Sequence, residues 1–253
     1  MPAPINTFKQ ALKSGDTLIG FWLGLTSPAV AEMAGRAGYD WLLIDNEHGP
    51  NDLQSTLVQM QAIAATGASS MVRVPQAEAW MIKQMLDAGA QTLLVPMIDT
   101  PEQAAAMVRA MRYPPEGIRG VGAALGRASY WNTIPDYLTT ANDQMCLIVQ
   151  AETSLAISNL PAILATEGVD GVFIGPADLS ADMGLLGQLD HPDVIKIIED
   201  SIRMIRAAGK SAGIIWGADD AQRWIDCGAN FVAIGADAPA LASAMTSMRK
   251  RFA

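Results

Sequence analysis

The stretch that decides the fold reads Cys146-Leu-Ile-Val-Gln-Ala151, then a segment with helical spacing over 154–165, then Gly171-Val-Phe-Ile-Gly175. Both short runs are apolar at nearly every position rather than at every second one. Such strands are covered on both faces, as in a parallel sheet. Parallel neighbours need a crossover, and the segment between them supplies it. The same unit repeats in both directions. Further strand-like runs lie at 18–25 (LIGFWLGL), 41–45 (WLLID), 70–74 (SMVRV), 92–97 (TLLVPM), 211–216 (SAGIIW) and 231–235 (FVAIG). Helical spacing occupies 27–37, 52–65, 77–88, 101–111, 192–208 and 219–227. Ser27-Pro28 reads as an N-cap with proline at the first helical position, and RAGYD, DAGAQ, AAGKS and DCGAN place glycine where a helix ends. Eight strands alternating with helices predict an α/β fold, a (β/α)8 TIM barrel forming a single domain over 1–253. An open doubly wound sheet would want a glycine-rich phosphate turn after its first strand, and Gly24-Leu-Thr-Ser-Pro28 is not one. The glycine-rich segment Gly117–Gly126 has the wrong spacing and follows Tyr113-Pro-Pro instead of a strand. It belongs to a connection from about 112 to 144, long enough to be expected as a functional loop.

Composition agrees with a globular chain. Of 253 residues half are hydrophobic, 17% are charged and 6% are aromatic. A chain of this length buries roughly 70–75% of its unfolded surface, so the core needs no disulfide support. The net charge of −9 argues against nucleic acid, whose phosphates require clustered Lys and Arg. Cys146 and Cys227 are too few for a disulfide framework or a thiolate metal site. The N-terminus lacks a basic start followed by an apolar stretch, and no run approaches about 18 apolar residues. The expectation is a cytoplasmic protein without contact to a membrane.

In a barrel, reactive groups gather at the C-terminal ends of the strands. The second strand ends in Asp45-Asn-Glu-His48 and the third carries Arg73. The fifth ends in Gln150-Ala-Glu152, the sixth is followed by Gly175-Pro-Ala-Asp178, and the eighth by Asp237. Any one of these could be a cap or a surface residue; their convergence on one mouth is the argument. The six lysines (Lys9, Lys13, Lys83, Lys196, Lys210 and Lys250) fall in helices, termini or at the opposite mouth, which disfavours an iminium mechanism. Cys146 and Cys227 also sit at the wrong mouth for a nucleophile. Glu152 and Asp178 come from neighbouring strand ends with no basic residue beside them in sequence. Two such carboxylates repel unless hydrogen bonds to loop backbone hold them or a hard divalent cation such as Mg²⁺ or Mn²⁺ joins them. His48 is a natural general base near neutral pH, and Asp45, three residues before it, joins the candidate catalytic set. His191, in Asp190-His-Pro-Asp193, reads as a helix cap.

The stretches FWLGLTSP, WLLIDNEHGP, VRVP, GAQTLLVPMIDT, RYPPEGIRGVGAALGRASYWN, NDQMCLIVQAET and VDGVFIGPADLSADMG resemble the metal-dependent class II pyruvate aldolases, the HpcH/HpaI aldolase family. The resemblance is strongest to those members that cleave 4-hydroxy-2-oxoheptanedioate, and it runs from about Phe8 to Phe252. It implies a (β/α)8 barrel and reversible aldol cleavage of a 4-hydroxy-2-oxo acid to pyruvate, or a related 2-oxo acid, and an aldehyde. It also implies a divalent metal ion (Mg²⁺, Mn²⁺ or Co²⁺), a role in aromatic catabolism, and a homo-oligomer. That oligomer would be a hexamer built as a trimer of dimers, with the last helix exchanged between neighbours. Residue by residue, the resemblance makes Glu152 and Asp178 the metal ligands. Gln150, the backbone of Ala177 and Asp178 would hold the pyruvate half. His48 would be the base, Arg73 would stabilise the transition state, and Asp87 would raise the basicity of the histidine. Asp87 ends a helix leading into the fourth strand, so it would reach His48 only from a neighbouring subunit; otherwise it is a surface carboxylate. Asn46 stands where relatives often have glycine, and Ile215-Trp-Gly217 departs from the pattern. Trp22, Trp216 and the long loop are expected to shape the aldehyde pocket. Three further readings remain open: an aldolase for sugar-derived 2-keto-3-deoxy acids, a citramalyl- or malyl-type CoA-thioester lyase, and a non-catalytic barrel that binds oxo acids. The lyase would need a basic groove, for which Arg109, Arg112, Arg119 and Arg127 show no clear pattern.

Overall fold

The computed structural model describes residues 1–252. Eight parallel strands close into a barrel in sequence order: β1 (Leu18–Leu23), β2 (Trp41–Asp45), β3 (Ser69–Arg73), β4 (Thr92–Val95), β5 (Cys146–Ala151), β6 (Gly171–Ile174), β7 (Ser211–Ile215) and β8 (Phe231–Ala236), with β8 pairing back onto β1. The outer helices facing the early strands are α2 (Pro28–Arg36), α3 (Leu53–Ile63), α4 (Ala79–Asp87) and α5 (Pro101–Met111), preceded by α1 (Thr7–Ser14). After them come α6 (Tyr137–Gln144), α7 (Ser154–Ser158), α8 (Leu160–Leu164), α9 (Pro176–Asp182), α10 (Pro192–Ala207), α11 (Ala221–Cys227) and α12 (Asp237–Lys250). The expected barrel is thus observed. Among the described residues no helix is long and apolar enough to cross a membrane.

Strand alternation builds two cores. One set of side chains packs outward under the helices, including Leu42, Ile44, Val72, Leu93, Val149 and Ile174. The other fills the barrel, with Trp41, Leu43, Met71, Ile148, Phe173 and Phe231. Gly20 and Gly213 are bare because a Cβ on either would fall inside the ring of Trp41 or Phe231. Helix α1 closes the lower end: Phe8 and Leu12 are buried, and Phe8 meets Trp41 and Phe231 edge-on at 6.0 and 5.9 Å. Its polar sequence, TFKQALKS, gives no long periodic signal.

Three expectations are revised. The segment 154–165 is two short helices, broken at Asn159 because Pro161 has no N–H for a continuous helix. The segment 219–227 starts at Ala221, after a single 3-10 turn over Ala218–Asp220. The connection 112–144 contains α6 and its own small core of Tyr113, Ala123, Ile134, Tyr137 and Ala141, and none of it lines the cavity described below. It links the end of a helix to the start of a strand, and that topology holds it at the N-terminal mouth. The loop therefore does not shape the aldehyde pocket of its own barrel.

Candidate active site

A cavity of about 670 Å³ opens at the C-terminal mouth. Its floor is the top inward-facing layer of the strands: Trp22, Arg73, Gln150, Phe173 and Ile215. Period-two alternation chooses these residues, since positions 41, 43 and 45 of β2 share one face and the register sets Asp45 beside Arg73. His48, Gly175, Ala177 and Asp178 form one side, and Leu189, Asp190, Trp216, Gly217, Asp220 and Pro239 the outer wall.

Asp45 is buried beneath this floor. Its carboxylate accepts from Arg73 Nε (2.9 Å) and Nη2 (2.7 Å), Trp22 Nε1 (3.1 Å), and the backbone N–H groups of Glu47 (3.0 Å) and His48 (3.3 Å). Burial alone would raise its pKa, but the hydrogen bonds and charge of Arg73, with the two backbone donors, hold it below the usual carboxylate value. With five donors filled, Asp45 has no role as a base. It fixes Arg73, turns the chain toward His48 and holds Trp22, whose ring lies 5.2 Å from the Arg73 guanidinium and 5.4 Å from Phe173. The His48 side chain is 66% exposed at the rim, with Nε2 3.9 Å from Glu47.

Glu47 is the residue that sequence reading gave no role. It lies two residues past the end of β2, in a bend where strand alternation no longer fixes the direction of a side chain. Its carboxylate lies 2.6 Å from Arg73 Nη1. Burial nevertheless raises its pKa, outweighing Arg73 and His48, and the charges of Asp45 and Asp178 raise it further.

Glu152 is buried just behind Gly175. Its carboxylate accepts from the Met97 backbone N–H at 2.8 Å and from the Gln150 amide. Met97 reaches it in a left-handed conformation (φ 53°), which costs a non-glycine residue about 1–2 kcal/mol. Burial pushes the Glu152 carboxyl up to about 7; the Met97 N–H opposes this, and the charges of Glu47 and Asp178 add to it. Asp178 sits in the first turn of α9, whose N-cap is Gly175 with no side chain to cap the turn. The N–H groups of that turn are open to a ligand.

Three carboxylates, Glu47, Glu152 and Asp178, therefore share a site with one guanidinium that is already paired. A divalent cation fits this arrangement. A Cβ on Gly175 would collide with Glu152 and Gln150, so the cradle behind it requires glycine, and the buried Gln150 Oε1 has no partner. Among the described residues no three His, Cys, Asp or Glu side chains are placed to hold a metal ion together, so the ligands would be two. Two carboxylates with positions left for water and substrate oxygens are what Mg²⁺-type ions take.

Other candidates fall elsewhere. Asp87 lies outside the cavity; its Oδ1 accepts from the buried Arg119 at 2.8 Å, and this structure does not bring it to His48. Asp237 is buried and receives the Gly24 and Leu25 N–H groups at 2.8 and 3.0 Å, which clasps the β8–β1 seam. His191 caps α10, as expected. Arg109, Arg112, Arg119 and Arg127 do not line the cavity, and Arg119 is stacked on Tyr113 instead (4.4 Å). Trp216 does line it, braced by Trp224 at 4.9 Å.

A family model described as HpcH/HpaI aldolase/citrate lyase matches residues 18–244. A hydroxypyruvate/pyruvate aldolase of Agrobacterium fabrum is 56% identical over 253 residues, covering all of this chain and 95% of that protein. A 4-hydroxy-2-oxo-heptane-1,7-dioate aldolase of Shigella sonnei is 56% identical over 248 residues, covering 98% of this chain and 95% of its own. The crystal structure of an HpcH/HpaI aldolase/citrate lyase family protein from Burkholderia cenocepacia superposes with a TM-score of 0.94 at 40% identity, over 98% of this chain and 99% of the other.

Proposed function

The chain belongs to the HpcH/HpaI aldolase/citrate lyase family, and from that premise we propose that it catalyses reversible aldol cleavage of a 4-hydroxy-2-oxo acid to pyruvate, or a related 2-oxo acid, and an aldehyde. The observation that carries this reading is the meeting of an exposed imidazole, a paired guanidinium and Asp178 around one cavity, with Glu152 just behind Gly175 and Glu47 against Arg73. Glu152 and Asp178 would hold a divalent cation (Mg²⁺, Mn²⁺ or Co²⁺), which when bound supplies Lewis-acid stabilisation of charge on the 2-oxo acid. The open N–H groups of Ala177 and Asp178, with Gln150, orient the carboxylate end. In cleavage His48 takes the C4 hydroxyl proton, the C4 oxygen closes to the aldehyde carbonyl, and the C3–C4 electron pair remains on the pyruvate half. Arg73 donates to the developing C4 oxyanion; Nε and Nη2 each serve Asp45 and Nη1 lies 2.6 Å from Glu47, which leaves two of the five N–H groups of a guanidinium for substrate. In synthesis the same base takes a C3 proton from pyruvate.

The test is exchange of pyruvate methyl protons in D₂O, followed by NMR with and without Mg²⁺ or Mn²⁺, for wild type and His48→Ala. Metal-dependent exchange that falls in the variant is expected. Exchange at the normal rate in chelator-treated protein, or none with any metal, refutes the scheme.

We read the protein further as a homo-oligomer, in which Asp87 would act across an interface. Helix α12 supports this: Leu241, Met245 and Met248 on it, and Phe252 beyond it, are exposed apolar residues that a second copy would cover. A monomer in analytical ultracentrifugation would overturn it.

A further inference from the structure

Among the described residues four that are not glycine take a left-handed backbone: Met97, Tyr130, Trp131 and Asn132. The last three are consecutive in the connection at the N-terminal mouth. Met97 stands alone at the C-terminal mouth, two residues past the end of β4. Its side chain is 47% exposed and belongs to neither core, so side-chain packing does not dictate the conformation. The chain on either side of it is pinned instead. Pro96 and Ile98 are buried, and the N–H of Ile98 donates to the Gln150 carbonyl at 3.1 Å. The Asp99 carbonyl accepts from Asn159 Nδ2 at 2.8 Å, and its carboxylate accepts from the Thr153 hydroxyl. The exit of β4 is thus fastened to the exit of β5. What the left-handed turn delivers is one N–H: Met97 donates to Glu152 Oε1 at 2.8 Å, while the Gln150 amide donates to Oε2. Among the described residues no other group donates to that carboxylate. A strained backbone persists only where its surroundings impose it, and such residues gather at functional sites.

From this arrangement we propose that Met97 is a positioning residue for the divalent cation, acting through its backbone: the left-handed turn aims the Glu152 carboxylate. This rests on the metal-dependent aldolase reading above and adds to it the part that orients one ligand. With Oε1 held by the Met97 N–H and Oε2 by Gln150, the plane of the carboxylate is fixed. An ionised carboxylate offers about four lone-pair sites, so about two remain for a cation. Partners of this kind orient a metal ligand, and their loss costs about 10–100-fold in metal affinity. The side chain at position 97 then matters only through the backbone it permits. Glycine adopts the left-handed region without penalty, asparagine enters it several times more readily than most residues, and a β-branched residue resists it most. Met97→Val therefore drives the turn toward extended backbone and withdraws the N–H from Glu152.

The experiment titrates Mn²⁺ into wild type, Met97→Gly, Met97→Asn and Met97→Val without substrate, following free Mn²⁺ by EPR. The dissociation constant, fitted separately from the number of sites, does not depend on the folded fraction of a preparation. Met97→Gly and Met97→Asn are expected to bind Mn²⁺ at least as tightly as wild type. Met97→Val is expected to bind it about 10–100-fold more weakly, and its pyruvate proton exchange to recover in part as Mn²⁺ is raised. This order runs against side-chain similarity, since valine resembles methionine more than glycine or asparagine does; lost side-chain packing would give the reverse. Met97→Val with wild-type affinity, or weakened binding in Met97→Gly or Met97→Asn, overturns the proposal. Should Met97→Val not fold, the other two decide: undiminished binding in both, without the methionine side chain, supports a role for the backbone, and weakened binding in either overturns it. A wild type that binds no Mn²⁺ refutes the metal reading and this proposal together, whereas a wild type that binds it, with variants that break the expected order, refutes only the role of Met97.

Discussion

Gly175→Ala places a methyl group where the metal cradle stands, without replacing a charged side chain. The added Cβ would lie 2.8 Å from the Cβ of Glu152 and 2.9 Å from Gln150 Nε2, and closer still to a Glu152 carboxylate oxygen. Relief to ordinary contact at 3.4 Å requires roughly 0.6 Å of movement. The Glu152 Cβ is one bond from the backbone and cannot swing aside, so the shift falls on the end of β5 or the start of α9. Overpacking of this kind costs about 1–3 kcal/mol, or roughly 2–10 °C in Tm for a chain of this size. The functional cost is larger, because about 1 Å of misplacement in a reacting constellation lowers rate roughly 100-fold. Thermal unfolding, Mn²⁺ titration and pyruvate proton exchange would be run together, with Gly67→Ala as the control. Gly67 has nothing within 4 Å of an added Cβ and no left-handed backbone, so its variant should hold or gain stability. A Gly175→Ala enzyme with wild-type Mn²⁺ affinity and exchange rate would show that the cradle behind Gly175 does not hold the cation.

Three further outcomes are expected. His48→Ala should lower pyruvate exchange by about 10²–10⁴ with an unchanged Mn²⁺ affinity, since the imidazole is at the rim and holds no structural contact deeper in the barrel. In chelator-treated protein Glu152 titrates near 7, above the ordinary 4.5, so the fold favours its protonated form. That contribution is complete below about 4.5 and fades as pH rises through 7, a loss of roughly 3 kcal/mol by linkage. Unfolding at pH 5 and pH 8 should show it, saturating Mn²⁺ should remove it, and an equal slope in Glu152→Gln would disprove the assignment. Arg119→Met should cost about 3–5 kcal/mol by urea unfolding, because it leaves Asp87 and the edge-on Tyr113–Tyr137 pair without the buried charge they surround.

The barrel was legible because most strands read as nearly continuous apolar runs, and β2, β4, β5 and β6 are buried at every position. Helices α1, α6, α9 and α12 were not read from periodicity, and three of them for particular reasons. Helix α1 buries only Phe8 and Leu12, and α6 is YLTTANDQ, short and rich in residues that prefer turns. Helix α9 begins two residues after β6 and looks like part of the strand's exit. At the site, the strand-end rule picked out Arg73 and Gln150 on the cavity floor and His48 and Asp178 beside it, but gave no role to Phe173 and Ile215 on the floor or to Glu47 beyond the end of β2. Topology would have placed the 112–144 loop, since a helix-to-strand connection returns to the mouth opposite the cavity. What sequence could not give was the state of each carboxylate, because that depends on which donors the fold turns toward it.

Donor counting sorts those carboxylates by task. Asp45 receives five hydrogen bonds, has a lowered pKa, and holds the positions of Arg73, Trp22 and the turn to His48. Asp237 receives the backbone of β1's exit and closes a seam. Glu152 receives two donors and is still pushed to about 7, so its surroundings do not stabilise the ionised form. Glu47 has Arg73 at 2.6 Å and remains raised. One guanidinium cannot neutralise Asp45, Glu47, Glu152 and Asp178 together. The fold has spent its donors on the residues that build the site and left under-neutralised those that face the bound molecule. A divalent cation at Glu152 and Asp178 would supply the missing charge, with positions left over for the oxygens of the bound molecule.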